Sequence, residues 1–301
     1  MKTLIIDTDI GNDCDDAGAL AIAHNLSKKG ECVISAFTSN TSRLDGAQAI
    51  QIINRHYGQP TPVGMTSRTS FLDAEHGYGA YSRGLVDAYP HYLNGQIVED
   101  AVGLLRKTLA QSESKPILVC IGPLNNISDL MRSGPCLYSD LYGLDLIRKT
   151  VGSFVIMGGE FTKRSFVVDG NTVVAEWNLL QDLEAAIHVI NNLDVPSVFI
   201  PYSVGLFKTG QSLFTDPAYD SPIRLSYDIH SKGPRYSWDP VAVYYAVRDD
   251  EALFEMSGPG RVSITSDGRT SFTADPNGPH TYMKRVKDEE EAVVKLNSLM
   301  R

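Results

Sequence analysis

A chain of 301 residues that is 43% apolar, 21% charged and 9% aromatic can bury a large core, which excludes an intrinsically disordered or collagen-like protein. Its formal charge of −9, from 36 acidic and 27 basic residues, repels phosphate backbones and anionic lipid, so neither general nucleic-acid binding nor membrane-surface binding is expected. The four cysteines, Cys14, Cys32, Cys120 and Cys136, form no C-x-x-C pair, which argues against a zinc knuckle or a disulfide framework and for a reducing compartment.

The N-terminus runs directly into Leu4-Ile5-Ile6-Asp7, which does not read as a signal peptide, and no apolar run approaches the roughly 20 residues that cross a bilayer. A cytoplasmic protein is expected. Short apolar runs then alternate with longer amphipathic segments. Thr3 to Asp7 reads as a strand before a helix from Asp15 to Lys29, and Cys32 to Ser39 as a strand before a helix from Gly46 to His56. Pro116 to Gly122 precedes Asn126 to Met131, and Ser153 to Met157 precedes Leu183 to Ile190. Such βαβ alternation predicts an α/β fold, an open and mainly parallel sheet flanked by helices, with the active site at the C-terminal ends of the strands.

Three stretches break the rhythm. Residues 65–95 and 202–237 are rich in Gly, Ser and Tyr and read as long functional loops, and residues 257–282 read as a β-hairpin. Tyr78, Tyr81, Tyr227, Tyr236 and Trp238 in these regions suggest an aromatic lid, although aromatic side chains also pack between loops without meeting a ligand. The tail from Asp288 to Arg301 has the acid-first, one-faced pattern of a helix. No repeat or linker divides the chain, so residues 1–301 are expected to form one domain.

The most informative segment is Asp7-Thr8-Asp9-Ile10-Gly11-Asn12-Asp13-Cys14-Asp15-Asp16, with five carboxylates in ten residues at a strand-to-helix junction. A helix N-terminus accommodates one or two of them, at about 0.3–1 kcal/mol each. The remainder call for a bound divalent cation, and an all-oxygen donor set favours Ca²⁺ or Mg²⁺ over zinc. An EF-hand loop is excluded, because the places of its Gly and its Glu hold Asn12 and Gly18. Asp7 and Asp9 also meet the two-Asp opening of haloacid-dehalogenase-type phosphohydrolases, which keeps a Mg²⁺-dependent phosphohydrolase as an alternative.

Asp7-Thr8-Asp9-x-Gly11 followed by Asp15-Asp16-Ala17-x-Ala19-Leu20 resembles the inosine-uridine-preferring nucleoside hydrolase family. Further segments agree in order: Ser39-Asn40, Gly122-Pro123-Leu124-Asn125-Asn126, Met157-Gly158-Gly159, Ala175-Glu176-Trp177-Asn178 and Trp238-Asp239-Pro240. The resemblance spans almost the whole chain. It implies Ca²⁺-dependent hydrolysis of the N-glycosidic bond of ribonucleosides to ribose and free base, in nucleoside metabolism such as purine salvage. It also implies a homo-oligomer, dimer or tetramer, with a small-molecule nucleoside as partner.

Carried over motif by motif, the resemblance makes Asp9 both metal ligand and general base, Asp16 and Asp239 further ligands, and Asn125 a ligand through its backbone carbonyl. Asp15 resembles the carboxylate that holds a ribose hydroxyl, with Asn40, Met157, Asn171, Glu176 and Asn178 completing the sugar site. His76 falls in a loop expected to cover the base. Carboxylates and amides suit this chemistry because glycosidic cleavage develops oxocarbenium-like positive charge on the sugar.

Two departures stand out. Asn12-Asp13-Cys14 separate Gly11 from Asp15-Asp16 where the commonest family form has a single residue, so a second register, with Asp13 on the ribose and Cys14 in a ligand place, stays open. Trp238 replaces the His that protonates the departing base in inosine-uridine-preferring members. An indole stacking on the base favours purines, whereas a packing role for Trp238 is the plainer reading. The loss of that His also motivates an alternative function, a nucleoside or ribosyl-ligand binding sensor with little turnover.

Overall fold

The computed structural model describes residues 1–72, 80–95, 97–162, 166–168 and 171–301. In chain order the elements are β1 (Lys2–Thr8), α1 (Asp15–Lys28), β2 (Cys32–Ser39), α2 (Leu44–His56), β3 (Val63–Met65), α3 (Ala80–Ala88), β4 (Glu99–Asp100), α4 (Ala101–Gln111), β5 (Ile117–Cys120) and α5 (Asn125–Arg132). They continue with α6 (Gly143–Thr150), β6 (Ser153–Met157), β7 (Phe166–Val168), β8 (Asn171–Val173), α7 (Trp177–Gln181), α8 (Leu183–Asn192), β9 (Ser197–Ile200), β10 (Lys208–Thr209), α9 (Pro222–His230), β11 (Arg235–Tyr236) and α10 (Trp238–Arg248). The chain closes with β12 (Phe254–Met256), β13 (Gly260–Ile264), β14 (Thr270–Ala274), β15 (His280–Val286) and α11 (Glu289–Met300).

The main sheet runs β14-β13-β15-β9-β6-β5-β1-β2-β3-β4, with β12 on β15. From β15 through β9 to β4 every pairing is parallel, while β12, β13 and β14 make an antiparallel edge. The apolar strand β1 shows why two layers cover it. Leu4 and Ile6 join the core that includes α1, α2 and α10, and Ile5, pointing the other way, joins the core with α4, α5 and α8. No helix among the described residues is long and apolar enough to cross a membrane.

The chain leaves β1 toward β2 and β3 on one side and reaches β5, β6 and β9 on the other. The opening between β1 and β5 is therefore a topological switch point, where loops diverge at the carboxyl ends of strands and leave a crevice. The acidic segment follows β1 there, and Gly122 to Asn125 follow β5.

Two of the long loops expected from composition contain helices. α3 buries Tyr81, Ser82 and Leu85, and α9 buries Ile223, Ser226 and Tyr227. These helices pack on each other, a tertiary contact that outweighs the Gly- and Ser-rich composition around them. Tyr81 and Tyr227 are thus interior side chains and not part of a lid.

Candidate active site

Below β1, Asp7 is fully buried and tied down. It accepts hydrogen bonds from Thr38 Oγ1 at 2.6 Å, Asn126 Nδ2 at 2.8 Å and Asn40 Nδ2 at 3.1 Å. Burial nevertheless pushes its carboxyl up to about 6, against the pull of those three bonds. Asn40 also donates to the carbonyl of Pro123 at 2.8 Å, and Asn125 Nδ2 donates to the carbonyl of Asn40 at 3.0 Å. The ends of β1, β2 and β5 are laced together in this way. Gly122 is required at the crossing, because a Cβ there would lie 2.8 Å from the Asp9 nitrogen and from Asn40 Nδ2.

Above β1 the chain turns through Gly11 with φ of 111°, a backbone conformation that suits glycine. Its N–H donates to the hydroxyl of Tyr81 at 2.6 Å, and that hydroxyl donates to the carbonyl of Asp13 at 2.7 Å. Asp13 is half-buried and turned toward Arg235. Both of its oxygens accept from Arg235, with Nε at 2.9 and 3.0 Å and Nη2 at 2.5 Å, and His230 Nε2 lies 3.3 Å away. Helix α1 then begins with Asp15 and Asp16, both buried.

The N-terminus of α10 meets that of α1. One carboxylate oxygen from each of Asp15, Asp16 and Asp239 lies within 4.8 Å of the others, and the Asp239 N–H donates to Asp15 Oδ2 at 3.1 Å. Thr8 Oγ1 donates to Asp16. Asp9 stands beside this trio and interacts electrostatically with all three. Its Oδ2 accepts from Asn12 Nδ2 at 2.9 Å. Glu176 caps α7, accepting from the N–H groups of Asn178 at 2.9 Å and Leu179 at 3.2 Å. Asn178 Nδ2 in turn lies 3.3 Å from the Met157 carbonyl and 3.1 Å from its sulfur.

Burial dominates the electrostatics. It pushes the carboxyls of Asp9 and Glu176 each up to about 7, and with mutual repulsion it holds Asp15, Asp16 and Asp239 well above the usual carboxylate range. A cluster of buried acids with so little positive charge around it is suited to a cation. The donor chemistry fits Ca²⁺, since the trio offers only oxygen. The buried Oδ1 atoms of Asn40 and Asn125 have no hydrogen-bond partner, so polar acceptors remain available in the same crevice. A second group within 4.8 Å, Asp13, Cys14 and His230, fits a metal less well, because Arg235 already occupies the Asp13 carboxylate.

Next to Asp239, at the first turn of α10, Trp238 is half-buried. Its indole N–H donates to the Tyr202 carbonyl at 2.8 Å, its ring stacks on Tyr202 at 5.3 Å between centroids, and Tyr236 lies 5.1 Å away.

A profile of the inosine-uridine preferring nucleoside hydrolases matches residues 4–296. The chain belongs to that family. Among solved structures, the inosine-uridine preferring nucleoside hydrolase from Bacillus anthracis is 18% identical with a TM-score of 0.76, covering 99% of this chain and 100% of its own. An inosine-guanosine nucleoside hydrolase is 20% identical with a TM-score of 0.77, over 100% of this chain and 99% of its own. The type III effector protein XopQ, solved with adenosine diphosphate ribose, is 18% identical with a TM-score of 0.72, over 99% and 93%. At these identities the structural likeness shows a shared nucleoside hydrolase fold. A comparison with curated proteins gives no match.

Against this nucleoside hydrolase frame, the expected residues Asp9, Asp15, Asp16, Asp239, Asn40, Asn125, Met157, Glu176 and Asn178 are all buried. Asp15, Asp16 and Asp239 converge, and Asp9, which interacts with Glu176, stands outside the tight trio. His76 lies outside the described residues, and Asn171 begins β8 with its side chain outside them as well. Arg235 is not indicated by the sequence, and Asp7, Asn126 and Tyr81, although they fall in the acidic segment, a family motif and the aromatic set, are not assigned these positioning roles by it. Asp7 carries one available signal, an acid at the end of a buried apolar strand, which demands partners. Nothing local marks Tyr81 or Arg235, whose partners are 70 and 222 residues away.

Proposed function

We propose that this nucleoside hydrolase family member is a Ca²⁺-dependent ribonucleoside N-ribohydrolase that releases ribose and free base, with a preference for purine nucleosides. The observation that carries the reading is the convergence of Asp15, Asp16 and Asp239 beside Asp9 at the β1–β5 switch point. Asp9, Asp16, Asp239 and the Asn125 backbone carbonyl would hold the ion. When bound, Ca²⁺ orients the ribose hydroxyls and makes a water easier to deprotonate.

The protein's own part is positioning and proton transfer. Asp9 accepts the proton of the attacking water, a role that suits a carboxyl raised toward neutrality by burial. Asp15, Asn40, Asn178 and Glu176 bind the ribose hydroxyls. Their negative and dipolar groups stabilise the cationic sugar in the transition state, and a site built for hydroxyls rejects 2′-deoxyribose. Trp238 offers an aromatic surface to the base, and Asn171, His76 and Met157 complete the substrate contacts. The protein acts as a cytoplasmic homo-oligomer in this reading.

The test is ribose release from inosine, adenosine, guanosine, uridine and cytidine, with Ca²⁺ or chelator, beside Asp9→Ala. Release that requires both Ca²⁺ and Asp9 supports the hydrolase. Wild-type turnover by Asp9→Ala would overturn the mechanism. A second reading, a ribosyl-ligand binder with little turnover, is favoured by one observation: the indole N–H at the place of the usual acid is already engaged by Tyr202. Tight binding without release from any of these nucleosides would support it.

A further inference from the structure

We propose that Arg235, held by Asp13, stabilises the departing base in place of a leaving-group acid, an assignment that rests on the hydrolase reading above. Glycosidic cleavage breaks the bond between the anomeric carbon and the base nitrogen, and the electron pair goes to the base. The attacking water supplies the oxygen of ribose and gives its proton to Asp9. The base therefore leaves as an anion and takes a proton from solvent afterwards, unless a side chain meets the developing charge first.

Trp238 cannot supply a proton at that moment, since its N–H is spent on the Tyr202 carbonyl at 2.8 Å. Two cations face the aromatic rings here: Lys208 lies over Tyr236 at 5.5 Å, and Arg235 lies over both Tyr236 and Trp238. Its guanidinium centre lies 5.4 Å from the ring centroid of Trp238 and 5.4 Å from that of Tyr236. It also interacts electrostatically with Asp15, the carboxylate assigned to ribose, while its guanidinium lies against the Trp238 and Tyr236 rings. About a third of the side chain, 31%, is exposed, which leaves it accessible to a ligand.

The pairing leaves a donor for that ligand. Asp13 takes hydrogen bonds from Nε and Nη2, and the other terminal nitrogen, Nη1, lies outside the pair. A bidentate carboxylate fixes the plane of a guanidinium as a single contact does not. Asp13 lies between the Gly11 turn and Asp15, and its carbonyl is itself held by Tyr81 at 2.7 Å. The acidic loop and Arg235 thus form one unit, with Asp13 as the positioning residue and Arg235 as the group that meets the base.

Leaving-group dependence separates this role from a structural one. Inosine and guanosine need help to expel the base, whereas p-nitrophenyl β-D-ribofuranoside expels p-nitrophenolate unaided. Arg235→Gln should lower kcat on inosine and guanosine by about 100-fold and leave p-nitrophenyl riboside within about threefold. Asp13→Asn should show the same selectivity with a smaller loss, and it serves if Arg235→Gln fails to fold. Parallel losses on both substrate types, or none, would overturn the assignment while leaving the hydrolase intact. If the wild-type protein turns over neither type, the hydrolase reading falls and this inference falls with it.

Discussion

Two groups of side chains at the site, a sheet wall and an aromatic wall, are built on different physics. On the sheet side, Asp7, Asn40, Asn125 and Asn126 are buried and bonded across three strand ends, and Asp9, Asp15, Asp16 and Asp239 are buried above them. Around Trp238, at the first turn of α10, Tyr202, Tyr236 and Arg235 are half-buried on short segments, and the group is held by stacking, the Trp238–Tyr202 hydrogen bond and one ion pair. The sheet wall has little freedom to change, because removing one partner leaves another polar group buried and unpaired, at about 1–3 kcal/mol. The aromatic wall can vary at small cost. In the proposed reading, chemistry common to the family belongs on the first wall and base preference on the second.

The largest effects should come from the sheet wall. Asp9→Ala is expected to lower ribose release by about a thousandfold or more, because it removes the general base, and a circular dichroism spectrum like that of the wild type would separate this from unfolding. Asp239→Asn should abolish the rise in Tm that Ca²⁺ gives the wild-type protein, since a neutral amide replaces one of three converging carboxylates. An unchanged Ca²⁺ response would remove Asp239 from the ion site.

The raised carboxyls predict a pH effect on the metal-free protein. In the unfolded chain such groups titrate near about 4, whereas Asp9 and Glu176 in the folded chain titrate near about 7. The folded state therefore holds protons that the unfolded state has lost. Their contribution to stability is fully present below the unfolded value and disappears as pH rises through the folded one. Glu176→Gln should flatten part of the fall in Tm between about pH 5 and pH 8 in chelator, and Ca²⁺ should stabilise the wild type more at the upper end. Equal slopes for the two proteins would mean that Glu176 does not titrate in this range.

Smaller effects should mark the aromatic wall. Trp238→Ala should cost purine nucleosides about tenfold or more in kcat/KM, consistent with about 1–3 kcal/mol per stacked base, and pyrimidines less. Equal losses would assign Trp238 to packing against Tyr202. Tyr81→Phe removes the hydroxyl that bridges Gly11 and Asp13, and a loss of about 1 kcal/mol in urea unfolding is expected.

Much of the framework was legible from local pattern. The runs Thr3 to Asp7, Cys32 to Ser39 and Ser153 to Met157 are continuous enough in apolar residues to be strands of a covered parallel sheet, and an excess of carboxylates after the first one points to a cation site at its end. The family motifs then placed Asp16 with Asp239 although 223 positions separate them. Composition misled in residues 65–95 and 202–237, where α3 and α9 are helical because each covers the other's apolar face.

What the amino-acid sequence determined by itself was the alternation that builds the sheet, the family, and the presence of more acid at one strand end than helix capping can accommodate. Only the tertiary structure decided which of those acids face inward. Asp13 turns toward Arg235 while Asp15 and Asp16 turn in to Asp239, and Asp7 sinks beneath them as the anchor of three strand ends. The physical reason is that a carboxylate's role depends on which partner compensates its burial. For these side chains many of the partners lie far away in the chain, where no local pattern points to them.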